Sequence, residues 1–397
     1  MQSSERFPLS KISSPSFRVP VIERAAWNLS AAVSMRREVK LPQSGSWWAE
    51  AAQKIFRNSS RFKTAEDAIT FAEQLNVYEW RPQRLNWLRA LRREMRFGLQ
   101  YPQFAKHLSS FSESKLATKE TIVRRGDRIV STTMWDLVRF HLFVRDKTPA
   151  VDTMSEIGGG YGAPARICLI SPLRRPRRYI IIDLAESIFL AEVYLRSQFS
   201  DETIAHMAED APTTKGKQIV LCPVEYMHLL DAGAIGTVIN TWSMQEMSES
   251  WVDHYMNWLE ASDAKFFYSY NAIGLPITRK AQWSGNSYSP RPSPQWSARF
   301  IGRRNQVFQR DILFDRTGFS DYDRRETELE FDALLESGAL VDDWPRMMDC
   351  LRRLHDRERA KQLVQVLAHS VETPKELPYF IQMASGARMA EGAVAAA

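Results

Sequence analysis

The stretch Ser155-Glu156-Ile157-Gly158-Gly159-Gly160-Tyr161-Gly162-Ala163-Pro164 constrains this chain more than any other. It reads as a strand end, a glycine turn and a helix start. Glu156 stands two positions before Gly158, and Gly158, Gly160 and Gly162 alternate. Glycine is needed where backbone turns tightly and approaches another group closely, because a Cβ would clash there. Pro164 suits a first helical turn, with its fixed φ and no N–H to satisfy.

The chain changes texture just ahead of that loop. Residues 1–45 carry scattered Pro and Ser without sustained periodicity and read as an irregular leader. Helices are expected from Ser46 to about Phe56, after the capping-box pattern Thr64-Ala65-Glu66-Asp67, and over Pro82–Phe97. In the last of these, Leu85, Leu88, Leu91 and Met95 form the expected core stripe. Arg84, Arg89, Arg92, Arg93 and Arg96 form a solvated basic face. Residues 121–130 read as a hairpin around Gly126-Asp127, and a helix is expected over Thr133–Val144, where His141 reads as a buried packing residue.

From Thr148-Pro149 onward strands and helices alternate. Strands are expected at Met154–Ile157, Tyr179–Asp183, Gln218–Cys222, Gly236–Asn240 and Lys265–Tyr270. Helices are expected at Pro164–Ile170, Leu184–Phe199 and Ser248–Ala261. Such alternation predicts a Rossmann-like α/β sheet with helices on both faces. Two further strands, Trp296–Ile301 and Gln306–Phe314, would pair antiparallel at its edge. Helices are then expected at Thr327–Leu335, Trp344–His355 and Arg357–His369, followed by a disordered tail from Ala384. The predicted organisation is a mostly helical N-terminal cap or subdomain over 1–147, the α/β domain over 148–320, and C-terminal helices over 321–397.

Composition excludes several classes. The 397 residues are 44% hydrophobic and 25% charged, which is ordinary globular material. No run approaches the roughly 18 to 20 apolar residues that span a bilayer. The three cysteines, Cys168, Cys222 and Cys350, are far apart, and no Cys/His spacing resembles a zinc site. A cytoplasmic protein without a metal is the expectation. The net charge of +6 tolerates an anionic partner without calling for nucleic acid.

Ligands of open α/β sheets bind beyond the carboxyl ends of the strands. The first strand end offers Glu156 and the glycines, and the second offers Asp183, placed to accept the hydroxyls of a ribose. Two nucleotide cofactors use such a loop. Gly158, Gly160 and Ala163 fit a dinucleotide site. Glu156 would repel a pyrophosphate but pair with the ammonium of S-adenosylmethionine (SAM), or order a water beside it. Asp183 with Glu186 also reads as a helix capping box. The fourth strand runs out through Asn240-Thr241-Trp242-Ser243-Met244-Gln245-Glu246-Met247. It lacks the paired prolines that methyltransferases acting on nucleobase amines favour there.

Three blocks in order, Glu156–Gly162, Tyr179–Leu184 and Asn240–Met247, resemble the bacterial sugar O-methyltransferases, which are class I SAM-dependent methyltransferases. The resemblance covers roughly residues 120–275. Where that family usually has proline after the Asp-Leu pair, this chain has Ala185. The resemblance implies cofactor contacts at Glu156, Gly158, Gly160, Asp183, Asn240 and Thr241, with Gly159, Tyr161 and Leu184 beside them. It implies methyl transfer to a hydroxyl of a sugar or glycan-type acceptor. A general base aids removal of a hydroxyl proton. Glu246 is the first candidate, and His254 the second, although His254 sits between Trp251 and Trp258 at helical spacing and can instead pack on aromatic rings. The competing readings are an NAD(P)-dependent oxidoreductase and an inactive methyltransferase-fold interaction module. A homo-oligomer is compatible with either.

Overall fold

The computed structural model describes residues 19–42, 46–75, 87–116, 122–173, 175–210, 214, 216–231, 235–272, 292–293, 295–302, 309–316 and 321–336, and single positions between 346 and 363. The expected loop-rich stretch after Gly274 lies almost wholly outside them, as do the expected tail and most of the last two expected helices.

The sheet is built on strands that are apolar along their length. Strand β4 (Arg178–Asp183) carries Tyr179, Ile180, Ile181 and Ile182 at 0–1% exposure. A strand covered on both faces needs such a run. Strand β3 (Thr153–Ile157) pairs parallel with β4 on one side and with β7 (Thr237–Thr241) on the other. Beyond β4 lie β6 (Ile219–Pro223) and a three-residue edge strand, β5 (Ile204–His206), which is too short to carry a periodic signal in sequence. Beyond β7 lies β8 (Phe266–Ala272), also parallel. Strand β10 (Gln309–Arg316) then inserts antiparallel between β8 and β9 (Trp296–Gly302).

The complete order is β5-β6-β4-β3-β7-β8-β10-β9. Its run β6-β4-β3-β7-β8 has the 3-2-1-4-5 order of nucleotide-binding sheets. With the antiparallel β10 inserted beside β8, the whole is a Rossmann-like α/β sheet with helices on both faces, as expected. The order reverses at β3, so the crevice for a ligand opens at the carboxyl ends of β3, β4 and β7.

Helices α5 (Thr132–Lys147), α6 (Ala163–Ile170), α7 (Ala185–Arg196) and α9 (Glu249–Ala261) cover the sheet. Ser131 caps α5 by accepting the Met134 N–H at 2.8 Å. The expected hairpin is β1 (Ile122–Arg125) with β2 (Arg128–Ser131). His141 in α5 is buried as expected. Its Nε2 lies 2.9 Å from the Ser171 Oγ, and burial pushes its pKa down to about 3.

The N-terminal leader is a correction. Residues 19–35 form helix α1 (Val19–Met35) instead of irregular chain. Ile22, Ala25, Leu29 and Ala32 are 0–3% exposed, a helical stripe that packs on α7. Polar residues interrupt that stripe in sequence, and their partners lie far along the chain. Asn28 donates to both carboxylate oxygens of Glu192 at 3.1 Å, and Arg24 donates to Glu209 at 2.8 Å. At the far end, Arg36 donates to Glu186 and, at 2.6 Å, to Glu225.

Helix α2 (Ser46–Asn58) and helix α3 (Ala65–Gln74) match expectation. The α3 capping box is formed, with Thr64 Oγ1 accepting from Asp67 N at 3.1 Å and Asp67 Oδ2 from Thr64 N at 3.0 Å. Helix α4 (Trp87–Gln100) is turned relative to expectation. Ala90 and Phe97 are its buried residues, whereas Leu88, Leu91 and Met95 point to solvent. The four-residue α8 (Met207–Asp210) follows β5. At the C-terminus, α10 (Asp321–Glu336) buries Phe331 and Leu334. Among the described residues, no helix is long and apolar enough to cross a membrane.

Candidate active site

The glycine turn after β3 leaves no room for a Cβ at Gly158, Gly159 or Gly162. Gly158 has φ +69°, and a Cβ there would sit 2.0 Å from the Ser243 Oγ. Only glycine fits, because the segment leaving β7 presses directly on the loop. Gly159 lies over Ile181 and the Glu156 carboxyl. Gly162, at φ +86°, starts α6, and a Cβ there would meet Leu195 of α7 at 2.8 Å. Tyr161 is buried edge-on against Tyr194 of α7, ring centroids 4.9 Å apart.

Asp183 ends the neighbouring strand β4. Its Oδ2 accepts from the Gly160 backbone N–H at 2.8 Å, and its Oδ1 from Leu184 N at 2.7 Å. This carboxyl therefore ties the end of β4 to the glycine loop of β3. The capping-box alternative is not formed, since Glu186 is held by Arg36. Burial raises the Asp183 pKa to about 7 against those hydrogen bonds, which favour the charged form.

Glu156 takes a different position from the one expected. Its side chain is 0% exposed, and its Oε2 accepts the Tyr179 hydroxyl at 2.9 Å. The pairing register puts Glu156 opposite Ile181, on the sheet face that carries Tyr179. The carboxyl thus supports the loop from beneath rather than projecting from the strand end. Burial pushes its pKa up to about 8, so it is mostly neutral at pH 7. Its Oε1 is buried without a hydrogen-bond partner.

The fourth strand end is locked by two asparagines. Asn240 Nδ2 donates to Ile157 O at 2.8 Å and to Ser243 Oγ at 2.5 Å. Its Oδ1 accepts from Asn271 Nδ2 at 2.7 Å and Met244 N at 3.4 Å. Those four bonds use the whole capacity of the amide. Asn240 therefore shapes the site through the backbone it holds. Asn271, which in turn accepts from Gln245 N at 3.3 Å, completes the lock. Nothing in sequence signalled this pair, because the bond depends on the register of β7 with β8. Thr241 is buried as the last residue of β7.

The chain then turns through Trp242, which has φ +62° although it is not glycine. Strain of about 1–3 kcal/mol at such a residue persists only where the surroundings enforce it. Here the Trp242 N–H is bound to Tyr270 O at 2.8 Å, and the indole packs on Phe140 at 4.9 Å and Tyr270 at 5.6 Å. Arg139 of α5 lies over those two rings, 4.1 and 4.6 Å from their centres, and is bound to Asp311 through Nη1 at 2.8 Å.

Of the two candidate bases, Glu246 ends the short 3-10 turn Met244–Glu246 and is half-buried. Its segment lies against the glycine loop, since Met247 Cε is 3.5 Å from where a Gly158 Cβ would be. His254 is half-buried on α9. Its ring meets Trp251 and Tyr255 at 5.8 and 5.9 Å, and burial lowers its pKa. That is the aromatic packing which its sequence neighbours also allowed. Among the described residues there is no cluster of His, Cys, Asp and Glu that could hold a metal ion.

No protein-family model matches the chain, and no curated protein matches it. Solved structures with a similar sheet include three methyltransferases. The geranyl diphosphate C-methyltransferase of Streptomyces coelicolor A3(2) aligns at 12% identity and TM-score 0.30, over 45% of this chain and 76% of that one. The magnesium protoporphyrin IX methyltransferase of Synechocystis PCC 6803 aligns at 13% and 0.30, over 48% and 90%. The Haemonchus contortus phosphoethanolamine N-methyltransferase 1 aligns at 15% and 0.30, over 57% and 49%. Correspondences this loose carry no weight for the site or its ligand.

Proposed function

We propose that this chain is a SAM-dependent methyltransferase acting on a hydroxyl of a sugar or glycan-type acceptor. The observation that carries the reading is the Asp183–Gly160 hydrogen bond, which holds a carboxylate against the close-packed glycine loop at the carboxyl ends of β3 and β4. The residues fit the cofactor. Gly158 leaves no volume for a side chain because Ser243 presses on it, which holds the loop backbone close to the end of β7. Asp183, with a pKa near 7, gains from hydroxyl donors that favour its charged form. When bound, SAM supplies an electrophilic methyl group.

The chain's own residues would then orient the acceptor and take its proton. Positioning supplies a large part of such a barrier reduction. Glu246 is the proposed base because its segment abuts the glycine loop. The sugar acceptor rests on the sequence resemblance alone.

Thermal unfolding with S-adenosylhomocysteine, SAM, NAD or NADP added separately tests this. A ligand at about 100 times its dissociation constant stabilises by roughly 2.7 kcal/mol. Stabilisation by S-adenosylhomocysteine, absent in Asp183→Ala, is the expected result. Stabilisation by NAD alone would sink the proposal.

A further inference from the structure

Helix α4 presents an apolar stripe to solvent. Leu88, Leu91, Met95 and Leu99 are 64%, 38%, 61% and 84% exposed. Their spacing of three and four residues stacks them on one side of the helix. The opposite side, with Ala90 and Phe97, is buried, and Glu94 there is held by Arg128 at 2.8 Å. A contiguous apolar strip on a water-facing helix marks a surface that something covers. The exposed Arg92 and Arg96 run along one edge of the stripe, with Arg89 behind them.

The charges select the occupant. Two copies pairing antiparallel would set the Arg92–Arg96 edge against itself. Pairing parallel, that edge would meet the side whose carboxylate, Glu94, already belongs to Arg128. Each copy also carries a net charge of +6. A stripe of Leu and Met beside arginines instead matches a helix lying in a lipid interface. There the apolar side chains enter the acyl boundary and the guanidinium groups meet phosphates. The 14 residues of α4 give it a length of about 21 Å, enough for several headgroups.

We propose that α4 docks the protein on an anionic phospholipid membrane through Leu88, Leu91, Met95 and Leu99, with Arg92 and Arg96 at headgroup depth. The inference rests on the α4 surface alone and stands independently of the methyltransferase reading.

Co-flotation with vesicles tests it. The full chain is mixed with vesicles of phosphatidylcholine alone or with added phosphatidylglycerol, at low and high salt. The expected result is flotation only with the anionic vesicles, weakened by salt. Arg92→Glu with Arg96→Glu should lower partitioning at least about thirtyfold, the equivalent of about 1 kcal/mol for each arginine. Leu88→Ser with Met95→Ser and Leu99→Ser should abolish it. Circular dichroism checks that both variants fold, and the wild-type lipid dependence stands if one does not. Wild-type protein that ignores anionic vesicles overturns the proposal, as does binding that survives in the folded serine variant. A dimer in light scattering that Leu99→Ser dissociates would assign the stripe to a second copy and overturn it equally.

Discussion

The Asp183 carboxylate accepts the Gly160 backbone N–H at 2.8 Å, so the carboxyl end of one strand holds the turn that follows its neighbour. The same group holds the fold together and stands at the proposed cofactor site, so its titration should be visible in binding. Its pKa is raised to about 7, mainly by burial. Hydroxyl donors on a ligand prefer the ionised form. Affinity for S-adenosylhomocysteine is expected to rise between about pH 5 and pH 7 and to level off above. Calorimetric titration across that range checks it, and a profile unchanged in Asp183→Asn would refute the assignment.

Glu156 offers a stability test with the opposite sign. Its folded pKa of about 8 lies above the ordinary value of 4.5, with burial the main cause. The folded state therefore binds the proton more tightly. That contribution is complete below about pH 4.5 and is lost as pH rises towards about 8. Glu156→Gln keeps an acceptor for Tyr179 and removes the titration. The variant should match wild type near pH 4 and exceed it by up to about 5 kcal/mol above pH 8. Urea unfolding at both pH values would measure the difference.

Gly158 and Ser243 should be coupled. Gly158→Ala places a Cβ 2.0 Å from the Ser243 Oγ at φ +69°. A loss of about 2–4 kcal/mol is expected from clash and left-handed strain together. Ser243→Gly in the same chain removes the clash and leaves the strain, so about half the loss should return. A double-mutant cycle by thermal unfolding reads this directly.

Asn240→Ala removes four hydrogen bonds from a residue that is 0% exposed and leaves the Asn271 amide without one of its partners. Destabilisation of about 2–4 kcal/mol is expected. S-adenosylhomocysteine affinity should fall with it, because the segment over Gly158 loosens. Urea unfolding and calorimetry on one preparation would show both effects.

The base assignment separates binding from chemistry. Glu246→Gln should retain the S-adenosylhomocysteine thermal shift while methyl transfer falls by about 10²–10⁴-fold. His254→Gln should change transfer far less, since its ring packs on Trp251 and Tyr255. The reverse ranking would move the base to His254.

The sequence by itself determined the sheet domain. Apolar runs such as Ile180–Ile182 and the turn glycines are local signals, because a strand buried on both faces and a backbone without room for a Cβ each leave their mark within a few residues. It also supplied Asp183 and the glycine loop. It did not determine α1, whose stripe reads as helix only once Arg24, Asn28 and Arg36 meet carboxylates more than 140 positions away. It gave the wrong face of α4 to the core, since the pattern Leu88-Leu91-Met95 is the same whether core or something external covers it. Strand register alone decided that Glu156 meets Tyr179 and that Asn240 meets Asn271. Hydrogen bonds between side chains on neighbouring strands depend on which residues stand opposite, and that is set by packing of the whole sheet rather than by any segment within it.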